Sequence, residues 1–223
     1  MRPAGVPIGR ALDVPAEIAY DDLREVVAAI DRVHGDGNLP RIPVRLVEGF
    51  PELGRFRFDP TTGEPISIVI RADQRFRRLT LLHEVGHYID WYVLGGRTTF
   101  GSAFHPMMEV WLARVVSSRS YRQLDALAKR GKGVVSGARI AILSERERTA
   151  VRNALLPDEC WARSYAQYVA LRSAASHLAG SLTVLRTPNE GRVYYPLQWE
   201  DEDFRPIAMA IDELFDELGW RTW

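Results

Sequence analysis

"TLLHEVGHYID", Thr80 to Asp90, sets His83 and His87 four residues apart with Glu84 between them. Residues at i and i+4 of a helix lie one above the other, so both imidazoles can aim at one point. A catalytic zinc takes three protein ligands at about 2.0–2.2 Å and keeps one position for water. His83 and His87 supply two of the three. Glu84 is turned about 100° round the helix from His83, which sets its carboxylate beside the water and off the metal, the place of a general base. The competing reading is a packed helix that satisfies both histidines without metal on a face shared with Leu79, Leu82 and Gly86. Gly86 leaves room beside the expected metal face. Asp90, three residues after His87, is either an orienting partner for a ligand histidine or a solvated polar residue.

The surroundings place this stretch in the middle of a helix that directly follows a strand. "IPVRLVEGF" (42–50), "GRFRFD" (54–59) and "ISIVIRA" (66–72) alternate or are rich in β-branched residues, and "PTTGEP" between the last two carries turn chemistry. They predict a small sheet containing a hairpin. From Asp73 to Leu94 the period becomes helical, with Asp73 as N-cap and Gly95-Gly96 as the stop.

Upstream, residues 1–15 read as an irregular arm, and "DDLREVVAAIDRV" (21–33) as an amphipathic helix whose acidic start suits the helix dipole. Downstream, residues 105–133 predict one or two helices, followed by a loop rich in Gly and Ser. Ser144 caps a short helix with Glu147 as its capping-box partner. Another helix starts at Pro157-Asp158 and runs through "ECWARSYAQYVALRSAA". "TPNEGRVYYPLQWEDED" (187–203) is irregular or partly extended, and a C-terminal amphipathic helix closes the chain. The expectation is an α+β fold: a small twisted sheet packed on the active-site helix, with a mostly helical C-terminal half. Residues 1–36 form an arm and helix, and 37–223 the main domain.

Composition narrows the partners. The 223 residues carry 29 basic and 29 acidic side chains, a balance that points to neither nucleic acid nor a membrane surface. The single cysteine, Cys160, excludes an internal disulfide framework and any cysteine-rich zinc site, and reads as a small buried hydrophobe. With no secretory h-region and no window near the ~20 apolar residues of a spanning helix, the expected setting is cytoplasmic.

The third ligand comes from elsewhere in the chain. In the metzincin pattern a histidine lies six residues after the second, reached through a glycine at the third; here those positions hold Val93 and Asp90. Two glutamates compete. Ala162, Ala166 and Ala170 recur every four residues after Glu159, a smooth stripe on which a second helix can approach closely. Glu109 sits among Met107, Met108 and Trp111, a face suited to core packing. The packing logic favours Glu159 and leaves Glu109 as the alternative.

"HEVGHYID" followed by "ECWARSYAQYV" resembles the gluzincin-type catalytic domain of the anthrax toxin lethal factor family. In that family a His-Glu-x-x-His helix is followed by a helix opening Glu-x-x-Ala-x-x-aromatic, and Glu159, Ala162 and Tyr165 match it. The resemblance implies a zincin-like domain binding Zn2+ through His83, His87 and Glu159, with Glu84 as base, that hydrolyses peptide bonds in a protein or peptide. It spans the segment from the sheet to the end of the Glu159 helix. Arg152 stands where the family's oxyanion-stabilising tyrosine would be, seven residues before the glutamate. The remaining candidates for that role are Tyr194, Tyr195, Tyr165, Tyr168 and His105, and Tyr195 is the expected one, on a strap that can cover the cleft.

An extended substrate can add to a sheet edge, here expected from "GRFRFD" or "PISIVIR". The arginines at 55, 57, 71, 75, 77 and 78 read as a solvated basic face, or alternatively as a preference for acidic substrate residues. Two rival functions remain. One is a zincin-fold binding or regulatory module without turnover, against which an intact Glu84 argues. The other is a regulatory protease coupled to a transcription factor, for which no DNA-reading segment is evident.

Overall fold

A computed structural model describes residues 8–35, 39–134, 140–187 and 193–220. Residues 1–7 of the expected arm and 188–192 of the expected strap lie outside them, as does the 36/37 boundary. The fold is mixed α+β. Its main sheet has strands β1 (Leu12–Asp13), β2 (Ile42–Val47), β3 (Gly54–Phe58) and β4 (Pro65–Arg71) in the order β1-β2-β4-β3. β1 and β4 both run parallel to β2, and β3 is the antiparallel edge. The expected hairpin is therefore β3–β4, and "PISIVIR" is an interior strand, leaving "GRFRF" as the edge.

Two expectations change here. The arm is not wholly irregular, because Leu12 and Asp13 pair with Ile42 and Pro43. Ile8 and Leu12 are buried. Such pairing across about thirty residues leaves no local periodicity to read. The expected Gly/Ser loop falls on residues 135–139, outside the described residues; on either side of it, where no strands were expected, β5 (Lys132–Val134) and β6 (Ile140–Ile142) pair as a small antiparallel ribbon.

Eight α-helices are found among the described residues. α1 (Asp21–Val33) buries Leu23, Val26, Ala29, Ile30 and Val33 in the core it shares with α2 and α6. α2 (Arg77–Ile89) carries the histidine motif. It begins four residues after Asp73, at Phe76 as N-cap, and Asp73 faces Arg71 at 3.7 Å instead. Gln74 organises the entry, accepting from the Phe76 amide and donating to Thr80 Oγ1. Arg77 and Arg78 sit unfavourably at a helix N-terminus; Asp22 and Glu25 of α1 compensate them, at 2.5 and 3.3 Å. Past Ile89 the chain widens into a π-turn over Asp90–Leu94, and Gly95-Gly96 ends the helix.

α3 (Glu109–Ser117) and α4 (Arg119–Arg130) fill the 105–133 region, and α5 (Glu145–Asn153) has the full Ser144–Glu147 capping box. α6 (Pro157–Arg172) starts with proline in its first turn. α7 (Ser176–Arg186), which the sequence reading passed over, and α8 (Asp201–Leu218) complete the set. No described helix is long and apolar enough to cross a membrane.

α2 lies between the sheet and α6. From Thr80 to Ile89 every α2 residue except His83 is buried, and so is every α6 residue from Cys160 to Ala170, as expected of helices covered on all sides. Their crossing is close: a Cβ on Gly86 would stand 2.8 Å from Ala162 Cα, and Trp161 Nε1 donates to Gly86 O at 2.9 Å. Of the alanine stripe, Ala162 stands at the closest approach, and Gly86 serves that contact.

Candidate metal centre

The close crossing brings the first turn of α6 over the middle of α2. His83 Nε2 and His87 Nε2 lie 3.1 Å apart, and the Glu159 carboxylate reaches them at 3.4 and 3.8 Å. Among the described residues these three form the one cluster able to hold a metal ion. Glu109, the rival ligand, is exposed at the start of α3.

The spacing can be tested against a metal. Bond lengths near 2.0–2.1 Å in tetrahedral geometry require donor separations of about 3.3 Å, and the three observed distances bracket that value. Chemistry points the same way. The three donor atoms lie within 4.8 Å of one another, and such a convergence of two imidazole nitrogens and a carboxylate is stable around a proton or a cation. Two imidazoles and a carboxylate suit a borderline ion.

The electrostatics are shaped by burial. Burial pushes His87 down to about 3, helped by the neighbouring His83, so its ring is a neutral donor. Burial also acts to lower His83, but the Glu159 hydrogen bond and the charges of Glu84 and Glu159 outweigh it and raise that imidazole. For Glu159 burial acts upward, yet His83, His87 and Arg163 carry the carboxylate down to about 2.

Glu84 is fixed from the sheet side. Its Oε2 accepts from the Phe56 amide at 2.7 Å, and only 5% of the residue is exposed. Desolvation raises it to about 7, against the His83 charge and the Phe56 hydrogen bond. The approach requires a glycine at 54, where a Cβ would meet Thr80 Cγ2 at 2.5 Å and Glu84 Oε1 at 2.8 Å. A backbone amide and a missing side chain leave no sequence signature, so neither neighbour of Glu84 was legible in advance.

Arg163, one turn after Glu159, was also missed. It is buried, donates to Leu197 O at 2.6 Å and to Ala154 O, and stacks 5.1 Å over Trp199. It thus ties the segments before α6 and before α8 to the ligand helix. Asp90 accepts from the Ser102 amide at 2.7 Å, while its Oδ2 and the buried His87 Nδ1 have no hydrogen-bond partner among the described residues. It anchors the turn after α2. Phe100 packs beside the His87 ring at 5.6 Å.

The oxyanion candidates are scattered. Tyr165 OH bonds His34 Nε2 at 3.0 Å, and Tyr168 OH donates to Asp212 at 2.7 Å. His105 caps the turn before α3 by accepting from the Met107 amide. Tyr195 packs against a second apolar cluster of Leu124, Leu143, Val151, Ala154 and Val193, and Tyr194 lines a cavity with Arg119 and Glu200. Cys160 is buried, with its thiol directed at Ala154 O.

Compared with protein-family models, curated proteins and solved structures, the chain matches none of them.

Proposed function

We propose that this chain is a zincin-like, zinc-dependent peptidase that cleaves peptide bonds in a protein or peptide. The observation that carries the reading is the convergence of His83, His87 and Glu159 on one point, with Glu84 held beside them by the Phe56 amide. His83, His87 and Glu159 would hold the ion. Zinc, when bound, supplies a Lewis acid that polarises the scissile carbonyl and acidifies water.

The other roles fall to side chains of the protein. Glu84, with a pKa of about 7, takes a proton from the attacking water and returns it to the leaving amine, because a base poised near the working pH can do both. The Phe56 amide fixes the carboxylate through Oε2. β3 is the antiparallel edge next to this base, with its Phe56 N–H held by Glu84, so an extended peptide can pair with the remaining outward groups of the strand and present its carbonyl to the site.

The test is Glu84→Gln in the full chain, with zinc content and peptide cleavage measured together. The expected result is one equivalent of zinc in both proteins and cleavage by the wild type alone. Zinc bound by a wild type that cleaves nothing would assign a zinc-stabilised binding module instead. Absence of zinc, unaffected by His83→Ala, would overturn the site altogether.

A further inference from the structure

The face of the sheet that looks away from α2 is basic. On β3, Phe56 points into the core and Arg55 and Arg57 point out, and the register puts Arg55 opposite Val69 and Arg57 opposite Ser67. On the other side of β4, Arg45 of β2 also lies opposite Val69. Arg71 shares their parity, so four arginines stand on one face of three strands. Val69 and Ser67 are only 4% and 1% exposed between them; long arginine stems can lie across such small side chains while the guanidinium groups stay in water.

Carboxylates neutralise half of this charge. Glu52 pairs with Arg55 and Asp73 with Arg71. Arg45 and Arg57 have no ion pair among the described residues. Arg75, Arg77 and Arg78 belong elsewhere, the first over the Phe76 ring and the other two, at the start of α2, paired with Asp22 and Glu25 of α1. In a chain of zero net charge, this sheet face is a local excess of positive charge that ends at the β3 edge.

That edge adjoins the proposed base. Because Glu84 receives the Phe56 amide, the backbone groups of Phe56 point away from β4, and by alternation those of Gly54 do as well. A peptide added along this edge bonds the outward groups other than the Phe56 N–H, which Glu84 holds, and continues the sheet by one strand. Its residues opposite Arg55 and Arg57 put their side chains on the arginine face, at cross-strand distance, while the residue between them points towards α2.

We propose, resting on the peptidase reading, that the substrate is an acidic segment carrying Asp or Glu at two positions separated by one residue, read by Arg55 and above all by the unpaired Arg57. Complementary charge across the strand pair sets the register of the peptide, and with it the bond offered to the site.

The test uses zinc-loaded full-length protein and a library of randomised peptides, with cleaved sequences read out for wild type and Arg57→Glu. The wild type should enrich Asp and Glu about two- to five-fold at each of two alternate positions, and Arg57→Glu should lose one enrichment and favour Lys or Arg there. Cleavage without acidic enrichment, or enrichment that Arg57→Glu leaves unchanged, overturns the inference and leaves the peptidase reading standing. No cleavage at all by zinc-loaded wild type overturns both. A single-stranded oligonucleotide is the control ligand: salt-sensitive binding that Arg45→Glu and Arg57→Glu abolish, with cleavage preference unmoved, would assign the face to nucleic acid and also overturn it.

Discussion

Glu84 and Gly54 meet where the edge strand crosses the motif helix: a Cβ at position 54 would stand 2.8 Å from Glu84 Oε1, within a carboxylate that is already bonded to the Phe56 amide. The proposed base is therefore positioned jointly by β3 and α2. Gly54→Ala should push the carboxylate aside and lower turnover by about a hundred-fold, the scale of a misplaced catalytic group. Zinc content should stay at one equivalent, since His83, His87 and Glu159 are untouched. Full turnover in a zinc-replete Gly54→Ala protein would show that this positioning is not needed.

Metal should stabilise the fold, because the three donors come from two helices that meet only in the folded chain. At a free zinc concentration of a hundred times Kd the gain is about 2.7 kcal/mol, or roughly 5–10 °C in Tm for a domain of this size. Calorimetry with zinc and with a chelator should show that difference in the wild type and none in His83→Ala. The raised pKa of His83 adds a sign: protons compete for its ring, so the zinc-dependent gain shrinks as pH falls.

Gly86→Ala tests the helix crossing. Alanine is intrinsically better than glycine in a helix by about 1 kcal/mol, but here its methyl would lie 2.8 Å from Ala162 Cα, a backbone atom that cannot turn away. Overpacking costs about 1–3 kcal/mol and should win. Tm is expected to fall, and zinc affinity with it, since α6 must shift and carries Glu159. A stabilised Gly86→Ala protein would show that the helices separate freely.

His34 should make stability pH-dependent. Burial pushes its pKa from 6.5 down to about 4, against the Gly35 carbonyl that acts to raise it. The unfolded chain therefore binds the proton more readily, and stability from this group is complete above pH 6.5 and lost as pH falls towards 4. The whole effect is about 3 kcal/mol. Glu84 and Asp90, both raised to about 7 by burial, act with opposite sign over part of this range. The readout is accordingly the difference between wild type and His34→Phe. That difference should shrink on acidification between pH 6.5 and 4, and a constant difference would show that His34 is not held neutral.

The parts of the molecule legible in advance were those with a local cause. The capping box at Ser144 and Glu147, the proline at the start of α6, the glycines closing α2 and the alternation in β2–β4 each follow from chemistry within a few residues. The start of α2 was misplaced because Asp73 has good capping chemistry, while Gln74 and the α1 carboxylates, more than fifty residues away, settle the entry. Arg163 carries no local signal; it is tied to Leu197 and Trp199, which no spacing connects to it.

What the sequence determined by itself was a helix bearing His83 and His87 at one-turn spacing, because helical periodicity is a property of the chain alone. It also favoured Glu159 over Glu109 as the partner of the two histidines, through an alanine stripe that suits close approach. Tertiary structure decided the rest: that Glu159 arrives 3.4 Å from His83, that a strand amide holds Glu84, and that four arginines share one sheet face. Those relationships join residues far apart in the chain, and only packing and register determine which distant groups meet.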